Sequence, residues 1–389
     1  MRVLFLFPRP LDARTSGGVA EFLYSLTPLL NDLDVEPVIY AGDKALSKLT
    51  GPVSLPGKVS VYSGPFLKPG WFVSRRRLAP VLELCRQTKI DVVHAQGTYT
   101  AGFLAMQIRK QLHIPYVVTS HNDILETNSR RMKRWNVKQR CRNVLKHASI
   151  VTHLTSIMED ASHRLLDTRE KSVTIGNGID CSAWQAYAGL PEQDYLLGIG
   201  RLERGKGFHI LLDMYPELLA RGVTTSLVIA GKGNAEKELH DQARKLGLNL
   251  ITDFSDYSQI PEKSVIFTGY VRGEAKQRLI AQSKCILFPT QPSLWEEAFS
   301  IAQLEAMAAG KAMIASDTAA TRYLQSSGLQ ALVVEPENVN AWASQALLLL
   351  RDNDLRRQSG MANLRAVFQF DWRPIARQYR DVYARASRS

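Results

Sequence analysis

The chain has few cysteines for its 389 residues, only four. Cys85, Cys141, Cys181 and Cys285 lie far apart and form no CxxC pair. That pattern excludes a disulfide scaffold and a zinc ribbon, and it fits a reducing compartment. No uninterrupted apolar run reaches the ~18 residues that a membrane-spanning helix needs. The opening run Val3–Phe7 is closed by Pro8 and is too short for a signal peptide. HExxH, GxSxG and the Walker-type GxxxxGK[ST] are all missing. A protein-ligated metal, an α/β-hydrolase and a P-loop nucleotidase are therefore not expected. No RNP-like, zinc-finger or helix-turn-helix pattern supports nucleic acid as a partner. Repeats and low-complexity tracts are also lacking.

What is present is ordinary in bulk and uneven in charge. Hydrophobic residues make up 45% and charged residues 22%, as in a folded globular protein. At ~100–200 residues per domain the length suggests two domains. The net charge is +12. Residues 1–180 hold 25 Lys/Arg against 15 Asp/Glu, and the remaining residues hold 24 against 22. The first half is thus expected to face something acidic, such as phospholipid head groups or a polyphosphate.

Short apolar runs alternate with amphipathic stretches of a dozen or more residues. Val3–Phe7, Pro37–Tyr40, 91–94, Tyr116–Ser120, Ile150–Leu154 and Ser172–Ile175 read as strands, with a helix over Val19–Leu30 between the first two. Near Tyr195 the pattern restarts. Tyr195–Ile199, Ser226–Ala230, Val265–Phe267, Cys285–Phe288, Ala312–Ala315 and Ala331–Val334 read as strands separated by helical stretches. Continuous apolar strands joined by helices predict parallel sheets covered on both faces. The fold class is therefore α/β, with two doubly wound, Rossmann-like domains facing across a cleft. The expected domains are 1–185 and 186–370, with the aperiodic stretch between Asp180 and Asp194 as the linker. A last helix follows Asp371, its N-cap, with Pro374 in its first turn. It packs either on the second domain or back on the first.

Several segments carry residues suited to chemistry. Glu297 and Glu305 are eight apart, with a helix over Phe299–Ala309. Glu297 would lie beside the helix start and Glu305 deeper along it. Amides near Ser300 and Ile301 suit a phosphate, and a carboxylate one or two turns on suits a ribose diol. Two solvent-facing acids on an amphipathic helix would give the same spacing. Arg201, Arg204 and Lys206 lie among Gly200, Gly205 and Gly207 at the end of a strand. An Arg fork and a mobile Lys suit a pyrophosphate, and a basic turn is the plainer alternative. Gly17 and Gly18 allow close backbone approach between the first strand and helix, as would any tight turn. Ala230-Gly-Lys-Gly-Asn234 lacks the third glycine of a dinucleotide fingerprint and reads as a turn with a phosphate contact at most. His121 ends a strand where an imidazole can orient a hydroxyl. His94 reads better as a packed, hydrogen-bonded histidine. Residues 129–146 hold eight cations and no acid, interleaved with Met132 and Trp135. Arg75–Arg77 add a second cluster after Trp71-Phe-Val73. Cations mixed with aromatics suit an anionic membrane, and a solvated helix face is the alternative.

In this order the segments resemble retaining glycosyltransferases of the GT-B fold, specifically family 4. The resemblance rests on Ser16-Gly-Gly18, Asp91-Val-Val-His94, Ser120-His121, Gly176-Asn-Gly-Ile-Asp180, Gly200-Arg-Leu-Glu-Arg-Gly-Lys-Gly207 and Phe267-Thr-Gly-Tyr-Val271. Its strongest element is Glu297-x7-Glu305. It implies that the second domain binds a nucleotide-diphosphate sugar, UDP- or GDP-linked, and the first binds the acceptor. It gives the diphosphate to Arg201, Lys206, Gly18 and the amides near Ser300 and Ile301. It gives the ribose to Glu305, the donor sugar to Glu297, the base to the backbone around Val271, and a place near the transferred sugar to His121. Asn177 and Gly178 would mark a hinge, and the final helix would cross back to the first domain. No metal or other cofactor is implied. Here Glu297-Ala-Phe-Ser300 replaces the family's Glu-Gly-Phe-Gly, and Thr318-Ala-Ala-Thr-Arg-Tyr323 replaces its Gly-Gly…Glu segment.

The expected activity is sugar transfer to a glycan or lipid-linked acceptor in surface polysaccharide or lipopolysaccharide assembly. The expected place is cytoplasmic, peripheral on the membrane through the basic first domain. The alternatives are a GT-B sugar-nucleotide epimerase, a phosphorylase, or a non-catalytic two-lobed sugar-nucleotide-binding protein.

Overall fold

The computed structural model describes all residues except 12–17, 44, 56, 58, 68, 70–72, 122, 126–129, 253, 255, 257 and 258, and the side chain of Arg130. It divides into two compact units. One is Met1–Gly178 together with Phe370–Ser389, and the other is Ile179–Gln369.

The first unit holds an eight-stranded sheet. Its strands are β1 (Arg2–Phe7), β2 (Glu36–Gly42), β3 (Thr50–Leu55), β4 (Val59–Gly64), β5 (Val92–Gln96), β6 (Tyr116–Ser120), β7 (Ile150–His153) and β8 (Ser172–Thr174). The order is β3-β4-β2-β1-β5-β6-β7-β8, and every pairing is parallel except β3 with β4. Alternate residues of β1 enter different cores. Val3, Phe5 and Phe7 face one apolar layer, and Leu4 and Leu6 face the other. That two-sided burial is why the strand reads as a continuous apolar run.

The helix Trp372–Ala386 completes the first of those layers. Asp371 caps it, accepting from Arg373 N at 2.9 Å. Trp372, Ile375, Tyr379, Val382 and Tyr383 are buried beside Phe22 and Leu26 of the helix Gly18–Asn31. The C-terminal helix therefore belongs to the first unit, although the whole second unit precedes it in the sequence.

The second unit holds β9 (Tyr195–Ile199), β10 (Ser226–Ala230), β11 (Asn249–Thr252), β12 (Ser264–Gly269), β13 (Cys285–Phe288), β14 (Met313–Ser316) and β15 (Leu332–Val334). The order is β11-β12-β10-β9-β13-β14-β15, parallel throughout. The units divide at Gly178, whereas the sequence reading placed the break at 185. The short helix Cys181–Gln185 lies in the second unit, where Cys181 Sγ is 3.8 Å from Val367 O and Gln277 Nε2 donates to Ala183 O at 3.2 Å.

In each sheet the chain first runs out to one edge, then returns to start the other half beside its first strand. The reversal lies between β1 and β5 in the first unit and between β9 and β13 in the second. Loops leaving the carboxyl ends of two such strands diverge and leave a crevice, where ligands bind in open α/β sheets. The segments after β9 and β13 are those that carry Arg201, Lys206 and Glu297.

Candidate active site

After β9 the chain makes one tight turn, Arg204–Lys206, and enters the helix Phe208–Ala220 through Gly207. Gly207 has φ +73°, and a Cβ there would collide with the carbonyl oxygen of Pro289, just after β13. Only glycine meets both demands, a left-handed backbone and contact with a passing main chain. Gln291 N donates to Gly205 O at 2.9 Å, so the two loops are also joined by a backbone hydrogen bond. The Gly231 and Gly233 positions are explained the same way. A Cβ on either would strike the carbonyl oxygen of Gly200 or Leu202. That close packing accounts for the GxG of the β10 loop without a ligand.

This junction brings together residues 91 apart in sequence. Lys206 Nζ donates to Glu297 Oε1 at 2.5 Å, with side chains only 18% and 15% exposed. Glu297 lies in irregular chain before the helix Ile301–Ala308, whose N-cap is Ser300. Ser300 is buried, extended at φ −104°, and makes no side-chain capping bond. The helix has no acid in its first turn, so the first amides keep their positive end open for an anion. Glu305 lies on the second turn, and its Oε1 accepts from Lys276 Nζ at 2.5 Å. The two glutamates therefore each have a lysine partner. An ammonium has three donors and a carboxylate about four acceptor positions, so both pairs can bind further polar groups without breaking. Val271 follows β12 in the turn before the helix Gly273–Ala281, which carries Lys276.

Arg201 is more open, with 63% of its side chain exposed. Its guanidinium carbon sits 5.4 Å from the centroid of the Trp295 ring, and Nη1 is 3.9 Å from Glu203 Oε1. A cavity of about 230 Å³ lies among Arg201, Glu203, Arg204, Gly205, Lys206, Leu294 and Trp295. A larger hollow of about 610 Å³ lies among residues 344–354, where the helices Val339–Arg351 and Asn353–Ala366 meet. The smaller one is the better candidate, because it lies at the strand-order reversal and is lined by paired charges.

In the first unit, His121 follows β6 and is buried. Its Nε2 donates to Gln96 Oε1 at 2.9 Å, and Phe22 packs edge-on 5.6 Å away. Burial lowers its pKa to about 4, so it is neutral near pH 7. His94 is fully buried between Tyr383 OH (2.8 Å) and Thr119 Oγ1 (2.6 Å). It is the packed histidine that the sequence suggested. Gly18 begins the helix Gly18–Asn31. Gly17, Trp71, Phe72 and Ser129 lie outside the described residues. In the basic run, Arg131, Lys133, Arg134, Arg142 and Lys146 are exposed and Trp135 is 75% exposed. Met132 is a correction to the interleaved pattern. It is buried against Cys141 and belongs to the core.

Two site residues escaped the sequence reading. Lys276 stood in a helix with no motif of its own, and its partner is 29 residues away. Trp295 lies in irregular chain before the helix Ile301–Ala308, with no motif of its own. Its signal was a large aromatic amid polar loop residues, close to Glu297 in sequence.

Residues 16–183 match the family model for Glycosyltransferase Family 4, and residues 185–363 match that for Glycosyl transferases group 1. The chain belongs to glycosyltransferase family 4. This glycosyltransferase is 26% identical to the phosphatidyl-myo-inositol mannosyltransferase of Mycolicibacterium smegmatis, over 100% of this chain and 94% of that one. It is 27% identical to the glycogen synthase of Mycobacterium tuberculosis (strain H37Rv), over 78% of this chain and 70% of that one. In fold it matches Anabaena HepE, crystallised with UDP, at TM-score 0.75 and 18% identity, covering 99% and 100% of the two chains. The sucrose-phosphate synthase of Thermosynechococcus elongatus matches at TM-score 0.74 and 18% identity, covering 99% and 98%. The fold of the glycosyltransferase is therefore GT-B. Among its described residues no helix is long and apolar enough to cross a membrane, and no three metal-ligating side chains converge.

Proposed function

We propose that this glycosyltransferase takes a UDP- or GDP-linked sugar as donor in its second unit and transfers the sugar with retention of configuration. The observation that carries the proposal is the Lys206–Glu297 pair, held by the β9 and β13 loops beside an open helix start. Arg201 and Lys206 bind the diphosphate, joined by the amides near Ser300 and Ile301. Glu297 binds hydroxyls of the donor sugar, Glu305 the ribose, and the backbone around Val271 the base. In the first unit the acceptor binds, Gly17 and Gly18 approach a phosphate, and His121 lies by the transferred sugar.

The chemistry follows from where charge grows. As the glycosidic bond breaks, electrons pass to the leaving diphosphate and the sugar ring becomes positive. Cations and helix-end amides aimed at the diphosphate stabilise the transition state more than the ground state. The acceptor oxygen attacks the same face that the diphosphate leaves, and its proton passes to a departing phosphate oxygen. A neutral His121 can hold a sugar hydroxyl without adding a charge of its own. Ala298 and Ser300 narrow the space that the family's glycines leave open beside the sugar.

The acceptor we favour is a glycan or lipid-linked saccharide used in surface polysaccharide or lipopolysaccharide assembly. The supporting features are the exposed cations of residues 131–146, Arg75–Arg77 and the exposed Trp135. Near an anionic leaflet each such cation contributes ~1 kcal/mol. Vesicles of anionic lipid should bind the protein and release it as salt rises; failure to bind at any salt removes the membrane part.

The donor is tested by thermal shift against UDP, GDP, ADP and their sugar conjugates. A ligand at a hundredfold excess over its Kd stabilises the fold by ~2.7 kcal/mol. If none shifts the transition, the donor assignment fails.

A further inference from the structure

Arg201, the proposed diphosphate ligand, is so exposed that something other than the core must hold its side chain in place. With 63% of its side chain in solvent, core packing does not fix it. A mobile arginine loses rotamer freedom when it grips a ligand, and that loss weakens binding. Trp295 has no part in the roles above, yet it is built into the same junction. A Cβ on Gly205 would lie 2.6 Å from Trp295 Cβ, so the glycine makes room for this residue. Trp295 N donates to Gln291 O at 2.9 Å, and Gln291 N donates to Gly205 O at 2.9 Å. The Trp295 backbone is thereby tied to the loop that carries Arg201. Its ring meets the guanidinium at 5.4 Å, within the range of a cation–π contact, while Glu203 flanks the same group at 3.9 Å.

We infer that Trp295 is a positioning residue, whose indole face holds the Arg201 guanidinium at the mouth of the 230 Å³ cavity so that a nucleoside diphosphate meets a cation already in place. The planar guanidinium suits this use, since it can stack on a ring and still present its N–H fork to a phosphate. The inference rests on Arg201 being a donor-site cation, as proposed above.

The test is calorimetric titration of UDP and of GDP into the full chain, following whichever binds the wild type. An exposed cation–π contact predicts that W295A weakens binding about two- to fivefold. W295F should restore most of it. In an R201A background W295A should have no further effect, because coupled residues are not additive. W295L keeps apolar bulk without a π face and should behave as W295A does, which separates the ring's effect from collapse of the loop. Equal losses from W295A with and without Arg201, or W295L matching the wild type, would overturn the inference while leaving the donor reading intact. An R201A protein that binds as tightly as the wild type, or a wild type that binds neither nucleotide, would overturn both.

Discussion

The two units share a plan and differ in what they place inside it. Both are parallel sheets with a strand-order reversal near the middle. At the carboxyl ends of its central strands the first unit buries neutral polar groups, such as His94, Thr119 and His121. The second unit uses charge in pairs at the equivalent place, Lys206 with Glu297 and Lys276 with Glu305. The surfaces reverse this contrast. The first unit has 30 Lys/Arg against 16 Asp/Glu, and the second has 19 against 21. Charge at the candidate site and charge over the surface are thus arranged differently. Paired, half-buried ions suit a compact polyanionic ligand, whereas an unbalanced exterior attracts an extended anionic surface.

That contrast can be broken most directly with acid. Burial lowers the pKa of His121 and His153 to about 4 and that of His94 to about 3. Unfolded, each would take up a proton near pH ~6.5. The native first unit binds fewer protons than its unfolded form between these values, so its stability falls as pH drops below ~6.5 and levels off near the native pKa values. The loss approaches ~1.4 kcal/mol per pH unit for each histidine. Hydrogen exchange followed from pH 7 to pH 5 should show the first unit opening before the second; the reverse order would show that these histidines are not held neutral.

Catalysis and ligand binding should respond to the paired charges of the second unit. Lys206→Ala should lower turnover by ~10²–10³, the scale for removing one charge-stabilising donor. Assaying donor hydrolysis without acceptor, alongside transfer, keeps the effect on the second unit separate, and near-normal rates would contradict the assigned role. Glu305→Ala should weaken nucleoside diphosphate binding by about tenfold or more, as expected for a hydrogen bond to a charged group. Lys276→Ala should cost less, since water can take the place of its half-buried ammonium. Calorimetry on both variants checks the order, and a larger loss from Lys276→Ala would mean that the lysine, not the carboxylate, holds the ligand.

Much of this arrangement was legible in the sequence, for a definite reason. Strands buried on both faces must be apolar throughout, so Tyr116–Ser120, Tyr195–Ile199, Ser226–Ala230 and Cys285–Phe288 stand out with the bounds they have in the structure. Strands without continuous burial carry no such signal. β3 is exposed along nearly its whole length, β11 is half-exposed and β4 buries only part of its residues, and these three were missed, whereas the short edge strands β8 and β15 were read. The helix Ala319–Ser326, capped by Thr318, was missed because residues 318–323 were read only as a departure from the family. At the site, motif spacing placed Glu297 before a helix and Glu305 within it, as the structure has them. It said nothing of Lys276 or of the ring over Arg201. Those contacts join residues 29 and 94 apart, through a tertiary arrangement that no local pattern encodes.

The helix Trp372–Ala386 carries Tyr379 and Tyr383 into the core of a unit whose sheet and other long helices are all made before Ile179. During synthesis, then, the earlier-made unit waits with an open apolar layer while nearly two hundred later residues leave the ribosome and can fold independently. The portion translated first is the one that matures last, and a chain cut short after Gln369 would carry a finished second unit attached to an unfinished first one.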